Sequence, residues 1–133
     1  MSRRQLVLAR VLFVLYLVAI ACLCFGNFSS LPEVEQSLWG IPTDKIVHFL
    51  MFLPFPVLAF YAFNRFAEKS RAAVLWTFVA FLAGAVLAAG TEIGQALLTS
   101  HRTGDPADFR ADLIGLAVGT VLVFILDLWK HRN

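Results

Sequence analysis

The chain has 133 residues, 59% of them hydrophobic and only 15% charged, with a mean hydropathy of +0.77. That balance excludes an ordinary water-soluble domain, and the length fits one domain, spanning residues 1–133. A net charge of +2, with no basic cluster interleaved with aromatic residues, excludes nucleic acid as a partner.

A membrane-spanning helix needs about 20 mostly apolar residues, because the hydrocarbon core is roughly 30 Å thick and each residue rises 1.5 Å. Four stretches meet that requirement and predict an all-α fold: a polytopic membrane protein, built as a bundle of four transmembrane helices. The first runs from about Leu6 to Phe25, behind Arg3 and Arg4. Its apolar part is longer than a signal-peptide core. Ala19-Ile20-Ala21-Cys22 only loosely resembles a lipoprotein cleavage box, with Ala in place of the leading leucine, so the stretch is expected to remain as an anchor. Cys22 and Cys24 read as small apolar fillers, since a C-x-C pair in hydrocarbon makes neither a zinc site nor a disulfide framework.

A loop from about Gly26 to Asp44 follows, carrying Glu33, Glu35 and the interface-suited Trp39. Within it, Leu31 to Leu38 is expected to form a short interfacial helix, capped by Ser30 and with Pro32 in its first turn. The second span runs from about Ile46 to Phe63 and contains Pro54 and Pro56. The third, about Ala73 to Leu98, is rich in Ala and Gly. The fourth, about Phe109 to Trp129, ends in Lys130 and Arg132.

Orientation follows from the short flanks. Arg3, Arg4, Arg10, Arg65, Lys69, Arg71, Lys130 and Arg132 fall on one side, against Lys45, Arg102 and Arg110 on the other. The positive-inside rule then predicts both termini cytoplasmic. The acidic residues, not used to set this orientation, gather mostly on the outer side; only Glu68 and Asp127 fall inside.

Three polar groups converge at that outer end. Asp44, Lys45 and His48 open the second helix, and Asp44 and His48 share a face at spacing four. Glu92 and Gln95 share a face near the outer end of the third helix. Arg102, Asp105, Asp108 and Asp112 run through the loop into the fourth. Glu92 lies roughly 9 Å from its helix end, where an ionisable group costs up to about 3 kcal/mol at mid-membrane. It therefore needs protein or water around it, with Arg102 and His48 as candidate partners. Such a group suits acid–base work, and it equally suits a structural ion pair with Arg102.

Asp108, Asp112, Gly115 and Gly119 form a single stripe at spacings of four, three and four. Gly115-x-x-x-Gly119 is a small-residue packing motif, as is Gly90-x-x-x-Gly94 around Glu92. The stripe predicts a contact face between helices and an outward pocket among the second, third and fourth. Asp44 and Asp108 have a plainer reading as helix caps. The phenylalanines read as lipid contact and core.

Taken in order, Asp44-Lys45-x-x-His48, Glu92-x-x-Gln95 and Arg102-x-x-Asp105-x-x-Asp108-x-x-x-Asp112-x-x-Gly115-x-x-x-Gly119 resemble the VanZ-like family. The likeness runs from about residue 44 to 119. At Asp112 the family commonly has Asn, so this chain adds a charge there. The resemblance implies a bacterial multi-pass protein of the cytoplasmic (inner) membrane. Some members are linked to resistance to teicoplanin, a glycopeptide acting on cell-wall precursors outside the membrane. The resemblance supplies no reaction.

Three functions follow. In the first, the outer pocket binds or modifies a lipid-linked or cell-wall component, with membrane lipids, a cell-wall precursor or a glycopeptide as partner. Glu92 or His48 is then the acid–base group, and Asp44, Lys45 and Gln95 are further binding residues. Arg102 holds a phosphate or carboxylate. Asp105, Asp108 and Asp112 are candidate oxygen ligands for Mg²⁺ or Ca²⁺, although no known metal-dependent phosphotransferase motif and no Ser-Gly-His phosphatase motif is present. In the second, the chain is a non-catalytic scaffold or partner-binding module. In the third, it is a small transporter or ion pathway, which the nearly apolar inner half disfavours.

Overall fold

A computed structural model describes residues 1–27, 36–63, 70–100 and 104–132. Its helices are α1 (Arg3–Phe25), α2 (Thr43–Phe52), α3 (Pro54–Ala62), α4 (Ser70–Leu98) and α5 (Pro106–Arg132). A small hairpin of β1 (Ser37–Leu38) and β2 (Ile41–Pro42) precedes α2. Helices α2 and α3 together make one span, so four helical segments are long and apolar enough to cross a membrane. All four predicted spans are present.

The second span departs from the expected single helix. Neither Pro54 nor Pro56 has an N–H to give the preceding turn, and regular helix is interrupted at Leu53, although its φ of −56° and ψ of −42° stay helical. The Tyr16 hydroxyl of α1 donates to the Met51 carbonyl beside this break. Buried backbone acceptors inside a membrane need such partners.

The hairpin corrects another expectation. Ser37 and Leu38, predicted as the end of an interfacial helix, pair instead with Pro42 and Ile41. Trp39 and Gly40 turn the chain with φ of 50° and 77°, and positive φ at both central residues matches the twist of a two-residue hairpin loop. Trp39 stands fully exposed at the tip, and Thr43 N–H donates to the Gln36 carbonyl, fastening the hairpin to α2. Residues 28–35, with Glu33, Glu35, Ser30 and Pro32, lie outside the described residues, as do Arg65, Glu68 and Lys69.

Contacts at the two ends fix the chain's path. At one end Arg10 Nε donates to the Ala62 carbonyl at 3.1 Å, satisfying the C-terminus of α3. At the other, Gln95 Nε2 donates to the Cys24 carbonyl at 2.9 Å, tying α4 to the end of α1. Helix α1 is largely exposed, and α2–α3 is the most enclosed span. The core gathers Ile20, Phe52, Phe55, Ala88 and Leu116 from every span.

Helices α2 and α5 run in the same direction, side by side. A β-carbon at Gly115 or Gly119 would collide with the carbonyl oxygens of Phe49 and Leu53. These glycines let the proline-bearing span lie backbone to backbone on α5, the role their spacing predicts. Gly90-x-x-x-Gly94 behaves otherwise: among the described residues nothing stands within 4 Å of a β-carbon at Gly90, and Gly94 faces side chains, the Phe25 ring and, at 4.0 Å, Leu98.

Candidate functional site

The close approach of α2 to α5 brings their polar ends together. Lys45 opens this arrangement. Its Nζ donates to Asp44 at 2.8 Å, to Asp105 at 2.7 Å, and to Asp108. Asp105 also precedes α5, where its Oδ1 accepts from Ala107 N–H at 2.9 Å, with Pro106 as the first helical residue. Asp105, not Asp108, therefore caps α5, and the N-cap position of α2 is held by Pro42, which makes no side-chain cap bond, with Asp44 in the first turn. The Lys45 ammonium beside Asp105 holds that carboxyl below its usual range, helped by the Ala107 N–H.

One turn deeper stands His48, buried. Its Nδ1 donates to Asp112 Oδ1 at 2.8 Å, while Nε2 lies 3.4 Å from Asp108 Oδ2. Asp112 is fully buried. From α4, Glu92 reaches the same place: its Oε1 lies 3.8 Å from His48 Nδ1, and its Oε2 accepts from Asp105 N–H at 3.0 Å. That bond folds the loop onto α4, where Gly104 packs against the Glu92 carbonyl and Ala96. Among the described residues, Glu92 Oε1 and Asp112 Oδ2 are buried without a hydrogen-bond partner.

The structure thus brings together Asp44, Lys45, His48, Glu92, Asp105, Asp108 and Asp112 from three helices. Gln95 is turned elsewhere, to the end of α1. Arg102 lies outside the described residues. Sequence reasoning gave no role to Tyr16; a lone hydroxyl in an apolar run signals a need for a partner without naming it.

The expected metal donors also regroup. Asp105 and Asp112 are seven residues apart, roughly 10 Å along a helix, too far to share one ion. Among the described residues, two donor sets lie within 4.8 Å instead: Asp44 with Asp105 and Asp108, and His48 with Glu92 and Asp108. Lys45 already supplies the cation of the first. The second joins an imidazole to two carboxylates and can act as a proton relay or hold a cation.

Spans long enough for a bilayer, with a charged cluster enclosed where three of them meet, define a multi-pass membrane protein. The chain belongs to the VanZ/LLP1 family, which matches residues 13–127. No curated protein and no solved structure matches it.

Proposed function

We propose that this chain lies in the bacterial cytoplasmic membrane with both termini inside, and that its outward polar end binds or modifies a lipid-linked component of the cell envelope. The observation that carries this reading is the pair of buried carboxylate oxygens, on Glu92 and Asp112, that have no hydrogen-bond partner among the described residues. A bundle held by ion pairs for stability alone has no use for such oxygens, since each costs its desolvation. Glu92 and His48 are the acid–base pair of this reading, and Lys45 with Arg102 receives a phosphate or carboxylate. Tolerance to glycopeptide antibiotics, known for part of the family, is the phenotype this activity would produce by altering a surface precursor.

Mass spectrometry of the lipids retained by purified wild type and by Glu92→Gln tests the proposal. The substitution keeps the acceptor for Asp105 N–H and changes only charge and proton chemistry. A phosphate-bearing lipid enriched in wild type, and lost or left unconverted in a folded variant, supports it. Equal retention of ordinary lipids in both sends the chain to the scaffold reading.

A further inference from the structure

The carboxyl groups of the cluster outnumber Lys45 and His48. Enclosed carboxylates are tolerated when paired, and an excess of them calls for a further cation. Lys45 answers for the outer group. Deeper in, His48, Glu92 and Asp108 each offer one ligand atom, all within 4.8 Å of one another. We propose that these three residues form a binding site for a divalent transition-metal ion, with zinc the best fit.

The geometry of each donor supports this. Lys45 takes Asp108 Oδ1, which leaves Oδ2 facing His48 Nε2 at 3.4 Å. Tetrahedral zinc, with bonds of about 2.0–2.2 Å to nitrogen and oxygen, sets its ligand atoms roughly 3.4 Å apart. His48 Nδ1 is committed to Asp112 Oδ1 at 2.8 Å. A metal-bound histidine is held this way, by a carboxylate on its other nitrogen. With Nδ1 carrying the proton, Nε2 presents a lone pair to a carboxylate oxygen, and a cation between them relieves the opposition. Glu92 is only 8% exposed, and its Oε1 has no hydrogen-bond partner among the described residues; that oxygen lies 3.8 Å from His48 Nδ1, and it belongs to the donor set whose atoms all fall within 4.8 Å of one another. An imidazole among the donors turns the preference away from Mg²⁺ and Ca²⁺, which take oxygen ligands, and toward zinc. Three protein ligands leave a fourth position for water or an incoming oxygen.

The site is independent of the lipid reading, because zinc alone is the probe. Full-length protein in detergent, without a polyhistidine tag, is stripped with a chelator and titrated with zinc while the bound metal is counted. One equivalent should bind to wild type, with affinity reduced at least ~10-fold in Glu92→Gln and in His48→Gln. Cobalt(II) provides a measurement that needs no variant: wild type should give the visible absorption of a tetrahedral nitrogen–oxygen site, abolished by zinc. Absence of zinc binding in folded wild type overturns the proposal, since Arg102 or protons then balance the charge. Equal binding in both folded variants overturns it too, by moving the ion elsewhere. A preference for Mg²⁺ over zinc overturns the choice of metal.

Discussion

His48 and Asp112 are paired across two helices that run in the same direction, Nδ1 to Oδ1 at 2.8 Å, with the carboxylate wholly enclosed. One oxygen of Asp112 orients the ring and the other has no hydrogen-bond partner among the described residues. The acceptor thus matters for the pair, whereas the negative charge is a separate quantity. Asp112→Asn keeps an acceptor for Nδ1 and should leave stability within a few tenths of a kcal/mol of wild type. Asp112→Ala removes it and should cost ~0.6–2 kcal/mol, the range of interhelical hydrogen bonds in membranes. Unfolding in mixed micelles measures both, and equal losses would show that His48 does not depend on this acceptor.

Lys45 bonds carboxylates of very different exposure: the Asp44 side chain is 58% exposed and that of Asp108 12%. Solvent screens the first pair and hardly reaches the second. Double-mutant cycles with Lys45→Met should therefore give a coupling of ~0–1 kcal/mol with Asp44→Asn and a larger one with Asp108→Asn. The reverse order would mean that Asp108 takes its main partner elsewhere.

How much of this was legible beforehand varies with the physics involved. The spans were readable because a bilayer sets a minimum length of apolar chain, and the Asp108–Gly119 stripe because helical periodicity puts those positions on one face. Most partners were not, although His48 is a candidate for Glu92 from sequence and lies 3.8 Å from it. Lys45 meets Asp105 and Asp108 only through the register of α2 on α5, which the glycine contacts at Phe49 and Leu53 determine and no local spacing encodes. The same limit explains Gly90: a small-x-x-x-small pattern permits close approach but does not supply the neighbour. The hairpin escaped notice because its turn places a tryptophan at positive φ, where Asn or Asp would have been the cue. Arg102, singled out with Glu92, lies outside the described residues.

The two glycine motifs give a paired prediction. Gly119→Ala sets a β-carbon against the Leu53 carbonyl and the Pro56 ring, and backbone cannot yield as a flexible side chain does. It should cost ~1–3 kcal/mol, as overpacking does. Gly90→Ala meets nothing within 4 Å among the described residues and should stabilise by ~0.5–1 kcal/mol, since glycine in a helix interior is unfavourable relative to alanine. Melting temperatures in detergent should move in opposite directions; a shared loss would undo the distinction between the two faces.

Acid should act through Asp105. Its folded pKa is lowered from the ordinary 3.8 by Lys45, so the unfolded chain takes up a proton first as pH falls. The stabilisation is fully present above 3.8 and is lost as pH drops through the lowered folded value. The stability gap between wild type and Asp105→Asn should therefore be constant near neutrality and close in acid. A gap that widens in acid would show that the lysine does not favour the charged form.

The outward setting of the polar end rests on charge alone, and labelling decides it. Trp39 stands at the tip of the hairpin that leads into α2, 94% exposed, and so at the same end of the chain's second span as Lys45. Arg132 lies at the opposite end, where α5 finishes. The flanks of that opposite end hold most of the Lys and Arg, which are retained on the cytoplasmic side during insertion. With Cys22 and Cys24 replaced by alanine, a membrane-impermeant maleimide applied to intact spheroplasts should modify Trp39→Cys at once. It should reach Arg132→Cys only after lysis. The opposite pattern would turn the cluster toward the cytoplasm, where an envelope precursor on the outer leaflet is out of reach, while leaving the ion pairs and the proposed zinc site untouched.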